Sequence, residues 1–489
     1  MRLQRVEQFR IVRRRASTLH MLEDQQPFFA FAGRQVQLTA TSQDRSAPIK
    51  DVVVRQRLQG HGHILPSDGR RCADPAKLLS RMPEAPEFTE VPEAPEAPSI
   101  HWTEAEQPCS ARWRSERETP PPARVALADD STTADAAYRL ACEGTALLWR
   151  GDFHNARQLL LALAKRAEKL PRRKTRGQKS QVAPMEDNTP GAAFHRHRQA
   201  QAQRARVLSQ LLIPLDGQYG IPLRRAPDHR QACNEAWGAA DGQTSVVPLR
   251  ELLGVVSAFE WRKKGVPITA LGPAPDNRIH PHYGVFSPLR GEYVDLVAHT
   301  ALPPGAEALA LDIGTGTAVL AAVLARRGVQ RVVATDQDPR ALACAQDNLA
   351  RLGLGSTVQL LAADLFPPPP DHRAALVLCN PPWLPARAGS AIERAVYDED
   401  SRMLRGFLTG LARHLLPGGE GWLILSDLAE HLGLRTRAQL LDWIADAGLQ
   451  VLGRIDVRPR HAKAADSEDP LHAARAAEIT SLWRLGAEA

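Results

Sequence analysis

The sequence holds six cysteines in 489 residues, and no two form a Cys-x-x-Cys pair. That excludes a disulfide scaffold and the usual zinc ribbons, and it suits a reducing compartment, so a cytoplasmic protein is expected. No run of 18 apolar residues occurs, which argues against a membrane span and against a membrane partner. The N-terminal stretch MRLQRVEQFRIVRRRAS is basic and has no apolar segment, so a secretory signal is not expected. Aromatic residues make up only 5%, against 38 prolines, and part of the chain is therefore expected not to pack.

What is present divides into three regions. Residues 1–124 repeat PEAP at Pro83–Pro86, Pro92–Pro95 and Pro95–Pro98 and end in a Pro120–Pro122 run. Proline resists helix interiors and sheet ladders, so this region is expected to be low in complexity and disordered, or to precede a later natural start. Residues 125–284 are expected to form a mainly helical domain. Ser131–Thr133 offers a cap to a helix running through Ala136, Leu140 and Ala146–Leu148, and a second helix is expected from Phe153 to Leu170. After a basic linker, a third is expected over Phe194–Leu212, its arginines on a solvated face, and a fourth over Pro248–Trp261. Charge splits the same way. Residues 305–489 carry 19 basic and 22 acidic residues, a net charge of −3, whereas residues 1–304 carry +10. Most of that excess lies in 165–230, where 15 basic residues face five acidic ones, a split that permits nucleic-acid contact.

From about Ala308 short apolar runs alternate with amphipathic stretches. The runs are Ala308–Leu311, Val332–Thr335, Val358–Leu361, Ala375–Cys379, Trp422–Leu425, Val451–Val457 and Thr480–Leu485. Strand–helix alternation at this spacing predicts an α/β domain over 285–489, a Rossmann-like seven-stranded sheet whose last pair is antiparallel.

Ligands of such sheets bind beyond the carboxyl ends of the strands. The first strand ends in Asp312-Ile313-Gly314-Thr315-Gly316, whose glycines allow a sharp turn and a close approach to a ligand. The second ends at Asp336, placed to accept both hydroxyls of a ribose. A third glycine of G-x-G-x-x-G would fall at Val319, and its absence favours a ligand without a pyrophosphate. The third strand ends in Asp364-Leu365-Phe366, where Asp364 is either an acceptor for an adenine amine or a plain loop acid. The fourth ends in Asn380-Pro381-Pro382-Trp383. Two prolines make a rigid loop with few donors, so the Asn380 side-chain oxygen and the Pro381 carbonyl can face outward together. Two acceptors hold the two N–H groups of an amine nucleophile and aim its lone pair, and Trp383 offers a flat face for a planar target.

These motifs (DIGTGT, the acid at Asp336, ADLF and NPPW) resemble class I S-adenosylmethionine-dependent methyltransferases that act on planar amide or amine nitrogens, over about residues 285–489. Upstream, Val285–Glu292 is similar to the segment before the catalytic domain of release-factor glutamine methyltransferases, departing by an inserted Leu289. The run Ala395–Met403 after NPPW looks more like small-domain methyltransferases acting on ribosomal RNA. The resemblance implies S-adenosylmethionine as cofactor, with Asp312, Gly314, Thr315 and Gly316 around its methionine part and Asp336 on its ribose. Asp364 and Leu365 would meet the adenine, and Arg290 and Glu292 would be contacts from a lid. Asn380, Pro381, Pro382 and Trp383 would be catalytic, with Asn380 also near the cofactor. The methyl donor of such enzymes is a sulfonium, so neither a general base nor a metal is required, and His280 and His282 read as structural or lid-lining. Three functions follow as rivals. The first is N-methylation of an exocyclic base amine of nucleic acid, RNA before DNA. The others are methylation of a protein glutamine amide, and a non-enzymatic scaffold.

Overall fold

A computed structural model describes residues 98–168, 189–368, 372–459 and 466–488. The expectation of disorder up to residue 97 and most of the basic linker lie outside the described residues. From residue 98 the chain is ordered in strands, which corrects the boundary placed at 124. A hairpin is formed by β1 (Ser99–Glu104) and β2 (Gln107–Trp113), paired antiparallel. Its turn residues Ala105 and Glu106 take φ of 49° and 63° with neither glycine nor asparagine to announce the turn. Next come β3 (Arg124–Ala128), β4 (Thr145–Trp149), β5 (Leu211–Leu215) and β6 (Ser245–Pro248). They complete a six-stranded sheet in the order β1-β2-β6-β5-β4-β3, with β3, β4 and β5 parallel.

The helices stand close to the expected places, at Ala134–Cys142, Phe153–Glu168, Pro190–Leu208 and Leu249–Lys264, with one more at Arg230–Trp237. Thr133 caps the first, its hydroxyl accepting from the Ala136 N–H at 3.3 Å. The domain is nonetheless α/β and not mainly helical. Every residue of β4 and β5 is buried, and a short apolar run buried on both faces has no alternation to separate it from a helix. Gly144, in the left-handed region at φ 78°, ends the first helix before β4 begins. Within β4 the side chains still alternate. Leu147 and Trp149 join the core under the helices with Phe153, Leu163 and Ile213, whereas Ala146 and Leu148 meet Ile100 and Trp113 of the hairpin.

A short ribbon of β7 (Val266–Pro267) and β8 (Arg278–Ile279) leads into the second sheet. Its strands are β9 (Ala310–Ile313), β10 (Val332–Asp336), β11 (Val358–Ala362), β12 (Ala374–Cys379), β13 (Leu415–Ser426), β14 (Leu449–Val457) and β15 (Thr480–Ala487). The order is β11-β10-β9-β12-β13-β15-β14, parallel from β11 to β13, with β15 antiparallel to both its neighbours. All seven expected strands are present, and the last pair is antiparallel as the sequence predicts, with helix His472–Ala477 between them. Alternate residues of β9 and β12 enter cores on opposite faces, Ala310 and Leu378 on one side, Ile313 and Cys379 on the other. A parallel sheet covered on both faces requires this.

The two sheets are joined by packing as well as by the chain. Phe194 on helix Pro190–Leu208 is 2% exposed and inserts among Leu384, Tyr397, Leu428 and Leu432. Burying a side chain of that size contributes about 2 kcal/mol. Arg262 bridges Glu235 and Asp347, each at 2.7 Å. No helix among the described residues is long and apolar enough to cross a membrane.

Candidate active site

The carboxyl ends of β9, β10 and β12 open on a cleft of about 720 Å³. The register places Asp312 level with Ala334 of β10 and Leu378 of β12, so it lies under the cleft floor. Its Oδ2 accepts from the Thr315 hydroxyl at 2.6 Å and from the Ala321 N–H at 3.1 Å. Burial pushes its carboxyl up to about 6, opposed by those two hydrogen bonds. Gly314 and Gly316 both stand at positive φ, 74° and 56°. A Cβ on Gly314 would displace the terminal methyl of Met403, but it is the left-handed conformation that calls for glycine there.

The Gly316 N–H donates to Asp336 Oδ2 at 2.9 Å and the Asp338 N–H to Oδ1 at 3.0 Å. Burial also raises the Asp336 carboxyl above its ordinary value. Each of its oxygens keeps a further lone pair, and the residue lines the cleft. Asp364 lines it too, but is half exposed and paired with Arg402 at 2.6 Å. Leu365 takes a left-handed φ of 73°, and its carbonyl accepts from the Thr335 hydroxyl.

Asn380, Pro381, Pro382 and Trp383 close the other wall of the cleft. The Trp383 indole N–H donates to Asn380 Oδ1 at 3.0 Å, which fixes the amide with its oxygen toward the ring and occupies one of two lone pairs. The Arg290 guanidinium lies over the Trp383 ring at 4.9 Å, so one face of the indole is already covered. Arg290 is buried. It donates from Nε to Glu292 at 2.8 Å and from Nη2 to Glu478 at 2.9 Å, and Glu478 also takes the Ser426 hydroxyl. Glu292 is thus a partner of Arg290 and is absent from the cleft lining. Arg290 lines the cleft, and its buried Nη1 has no hydrogen-bond partner among the described residues.

The sequence reading left out one wall altogether. Ser115, Glu116 and Glu118, from the connection between β2 and β3, line the same cleft. Glu116 is held by the Trp237 N–H at 2.6 Å and stands 3.8 Å from Arg340, while Glu118 pairs with Arg394 at 3.1 Å. His280 and His282 are structural. His280 Nδ1 donates to the Arg262 carbonyl at 2.7 Å, and His282 pairs with Asp347 at 3.0 Å.

Residues 276–437 match the family described as the methyltransferase small domain. The chain carries a class I S-adenosylmethionine-dependent methyltransferase domain. Among curated relatives, this methyltransferase domain is similar to the release factor glutamine methyltransferase of Cereibacter sphaeroides, 33% identical over 165 residues, 31% of this chain and 58% of that one. The protein of the same description from Moorella thermoacetica is 31% identical over 195 residues, 39% of this chain and 64% of that one. A tRNA1(Val) (adenine(37)-N6)-methyltransferase of Vibrio vulnificus is 32% identical over 118 residues, 24% of this chain and 49% of that one. The chain spans less than two thirds of the length of each.

The residues of the cleft fit the cofactor of this family. A sulfonium with an ammonium is a cation, and Asp312 and Asp336 are carboxylates without an ion-pair partner among the described residues. The orphaned Arg290 Nη1 is a donor of the kind a methionine carboxylate takes. Asp336 would hold the ribose.

Proposed function

We propose that this protein transfers the methyl group of S-adenosylmethionine to a planar exocyclic amine of nucleic acid, with single-stranded RNA as the substrate class. The observation that carries the reading is the Asn380–Trp383 wall, whose residues line the same cleft as Asp312 and Asp336, with the Asn380 amide oxygen held by the indole N–H. When bound, the cofactor supplies an electrophilic methyl group on a sulfonium. The chain's own contribution is positioning. The second lone pair of Asn380 Oδ1 and the Pro381 carbonyl accept the two N–H groups of the target and turn its lone pair toward the cofactor pocket. The N–H of Trp383 keeps the Asn380 amide from flipping its NH₂ inward, and Arg290 holds the indole against the wall. The edge of Trp383 that lines the cleft then borders the place of a base taken out of its stack.

The glutamine-amide reading is favoured by the relatives named for that activity, because an amide presents the same planar N–H₂. One experiment separates the two. Purified protein and tritiated S-adenosylmethionine are incubated with a cell extract that is then treated with RNase, DNase or protease. RNase-sensitive label that is absent with Asn380→Ala supports the RNA reading. Protease-sensitive label moves the substrate to protein, and DNase-sensitive label to DNA.

A further inference from the structure

We propose that the seam between the two domains, beside the loop that follows NPPW, is a phosphate site for the backbone of the RNA substrate. This rests on the RNA reading above and extends it from the base to the chain that carries the base. Three arginines from three elements of the N-terminal domain gather beside residues 387–393: Arg117 from the connection between β2 and β3, Arg198 from helix Pro190–Leu208, and Arg250 from helix Leu249–Lys264, with Arg204 of helix Pro190–Leu208 next to Arg250. Arg198 is spent on the loop itself. Its Nη2 donates to the Arg387 carbonyl at 2.6 Å, Nη1 stands 3.5 Å from Glu393, and the guanidinium covers the Tyr397 ring at 4.0 Å. Arg204 pairs with Glu168 at 2.8 Å.

Arg117 and Arg250 are different. Through their guanidiniums neither makes a hydrogen bond or ion pair among the described residues. Arg117 Nη2 lies 3.3 Å from where a Cβ on Gly389 would stand, which brings it against the loop. Arg250 is desolvated beside Arg117 and Arg204, and the burial and the like charges lower its affinity for a proton to about 10, still charged at neutral pH. The acids nearby do not balance them. Glu393 Oε2 is taken by the Gly389 N–H at 2.8 Å and by Arg198. Burial pushes the Glu251 carboxyl up to about 7, so it is half protonated near neutrality, with Oε2 already accepting the Glu116 N–H. Two neighbouring guanidiniums with no ion pair of their own among the described residues, and only Glu251 and Glu393 near Arg250 to offset them, are matched by a phosphodiester, which accepts from both.

The cleft next door sorts the substrate the same way. Glu116 and Glu118 line the cleft, and the intervening Arg117 does not. Those two carboxylates offset Arg340 and Arg394 of the same wall, whereas the guanidiniums of the seam are left to attract phosphates. The backbone is thereby held at the seam as the base enters alone.

The test uses the full chain with S-adenosylhomocysteine, a fluorescent single-stranded RNA of mixed sequence, and anisotropy over a salt series. Each phosphate contact on a single strand contributes ~0.7 to the slope of log K against log salt. Arg117→Ala/Arg250→Ala should therefore lower the slope by roughly 1.4. It should also weaken binding at least ~10-fold, the loss expected for hydrogen bonds to a charged group. Arg117→Lys/Arg250→Lys should keep the slope and lose part of the affinity, since the charge stays and the fork goes. Unchanged S-adenosylhomocysteine binding by the alanine variant reports that it is folded. Wild-type and alanine variants with the same affinity and slope would overturn the seam site while leaving the RNA reading intact. Wild-type protein that binds no RNA and labels only protease-sensitive material would overturn both.

Discussion

Both domains end parallel strands in aspartates, and the two edges are opposite in electrostatics. After β3 and β4, Asp130 pairs with Arg224 and Asp152 with Arg225, both at 2.5 Å. The Asp152 N–H holds the Asp130 carboxyl below its ordinary range, and the Arg225 hydrogen bond does the same for Asp152. After β9 and β10, Asp312 and Asp336 take hydrogen bonds from the Thr315 hydroxyl and backbone N–H groups and have no arginine or lysine partner among the described residues. Burial raises both. An edge whose charges are matched internally has little left to offer a ligand. An edge whose carboxylates are unmatched is built for a cation that arrives from outside, and this, more than the sheet itself, distinguishes the methyltransferase domain from its neighbour.

The largest expected effect lies on the unmatched side. Asn380→Ala should lower methyl transfer by ~10²-fold or more, the scale on which positioning acts, while cofactor binding by calorimetry stays nearly unchanged. Asp336→Asn should do the reverse first, weakening cofactor binding by roughly 30-fold through loss of a charged acceptor. Asp152→Asn should leave cofactor binding as it is. Equal losses from Asp336→Asn and Asp152→Asn would erase the distinction between the edges.

The third prediction is a pH dependence with two opposed readouts. Asp312 has a native value of about 6 against an ordinary 3.8, so between these values the native state holds more protons than the unfolded chain. The stability of the cofactor-free protein should gain from this group as pH falls from 7 to 5, by on the order of 1 kcal/mol. Cofactor affinity should fall over the same range, because the protonated acid no longer attracts a cation. Thermal melts and calorimetry across pH read the two, and Asp312→Asn should flatten both. The smallest effect belongs to the matched edge. Arg225 is 67% exposed, and Arg225→Ala should lower the melting temperature slightly with cofactor binding untouched.

The seven-stranded sheet was legible because its apolar runs are separated by capped amphipathic helices such as Arg437–Asp446, whose Thr436 and Gln439 form a reciprocal capping box. NPPW was legible as a motif, and its place at the end of β12 follows from the strand before it. The six-stranded sheet was not, for physical reasons. Residues 99–113 turn through Ala105 and Glu106 without a turn-forming residue type, and β4 and β5 are buried on both faces and read as helix. Nor does spacing announce a network such as Arg290 with Glu478, 188 residues apart. The arginines of helix Pro190–Leu208 read as a solvated face, yet Arg198 clamps the loop after NPPW, because Phe194 on the same helix carries it there.

The most direct test of the account is equilibrium binding of radiolabelled S-adenosylmethionine to the full chain, its Asp336→Asn form and its Asp152→Asn form. The account predicts one saturable site in the wild type, kept by Asp152→Asn and strongly weakened by Asp336→Asn. Absence of binding by the wild type, or binding indifferent to Asp336 and lost with Asp152, would contradict it.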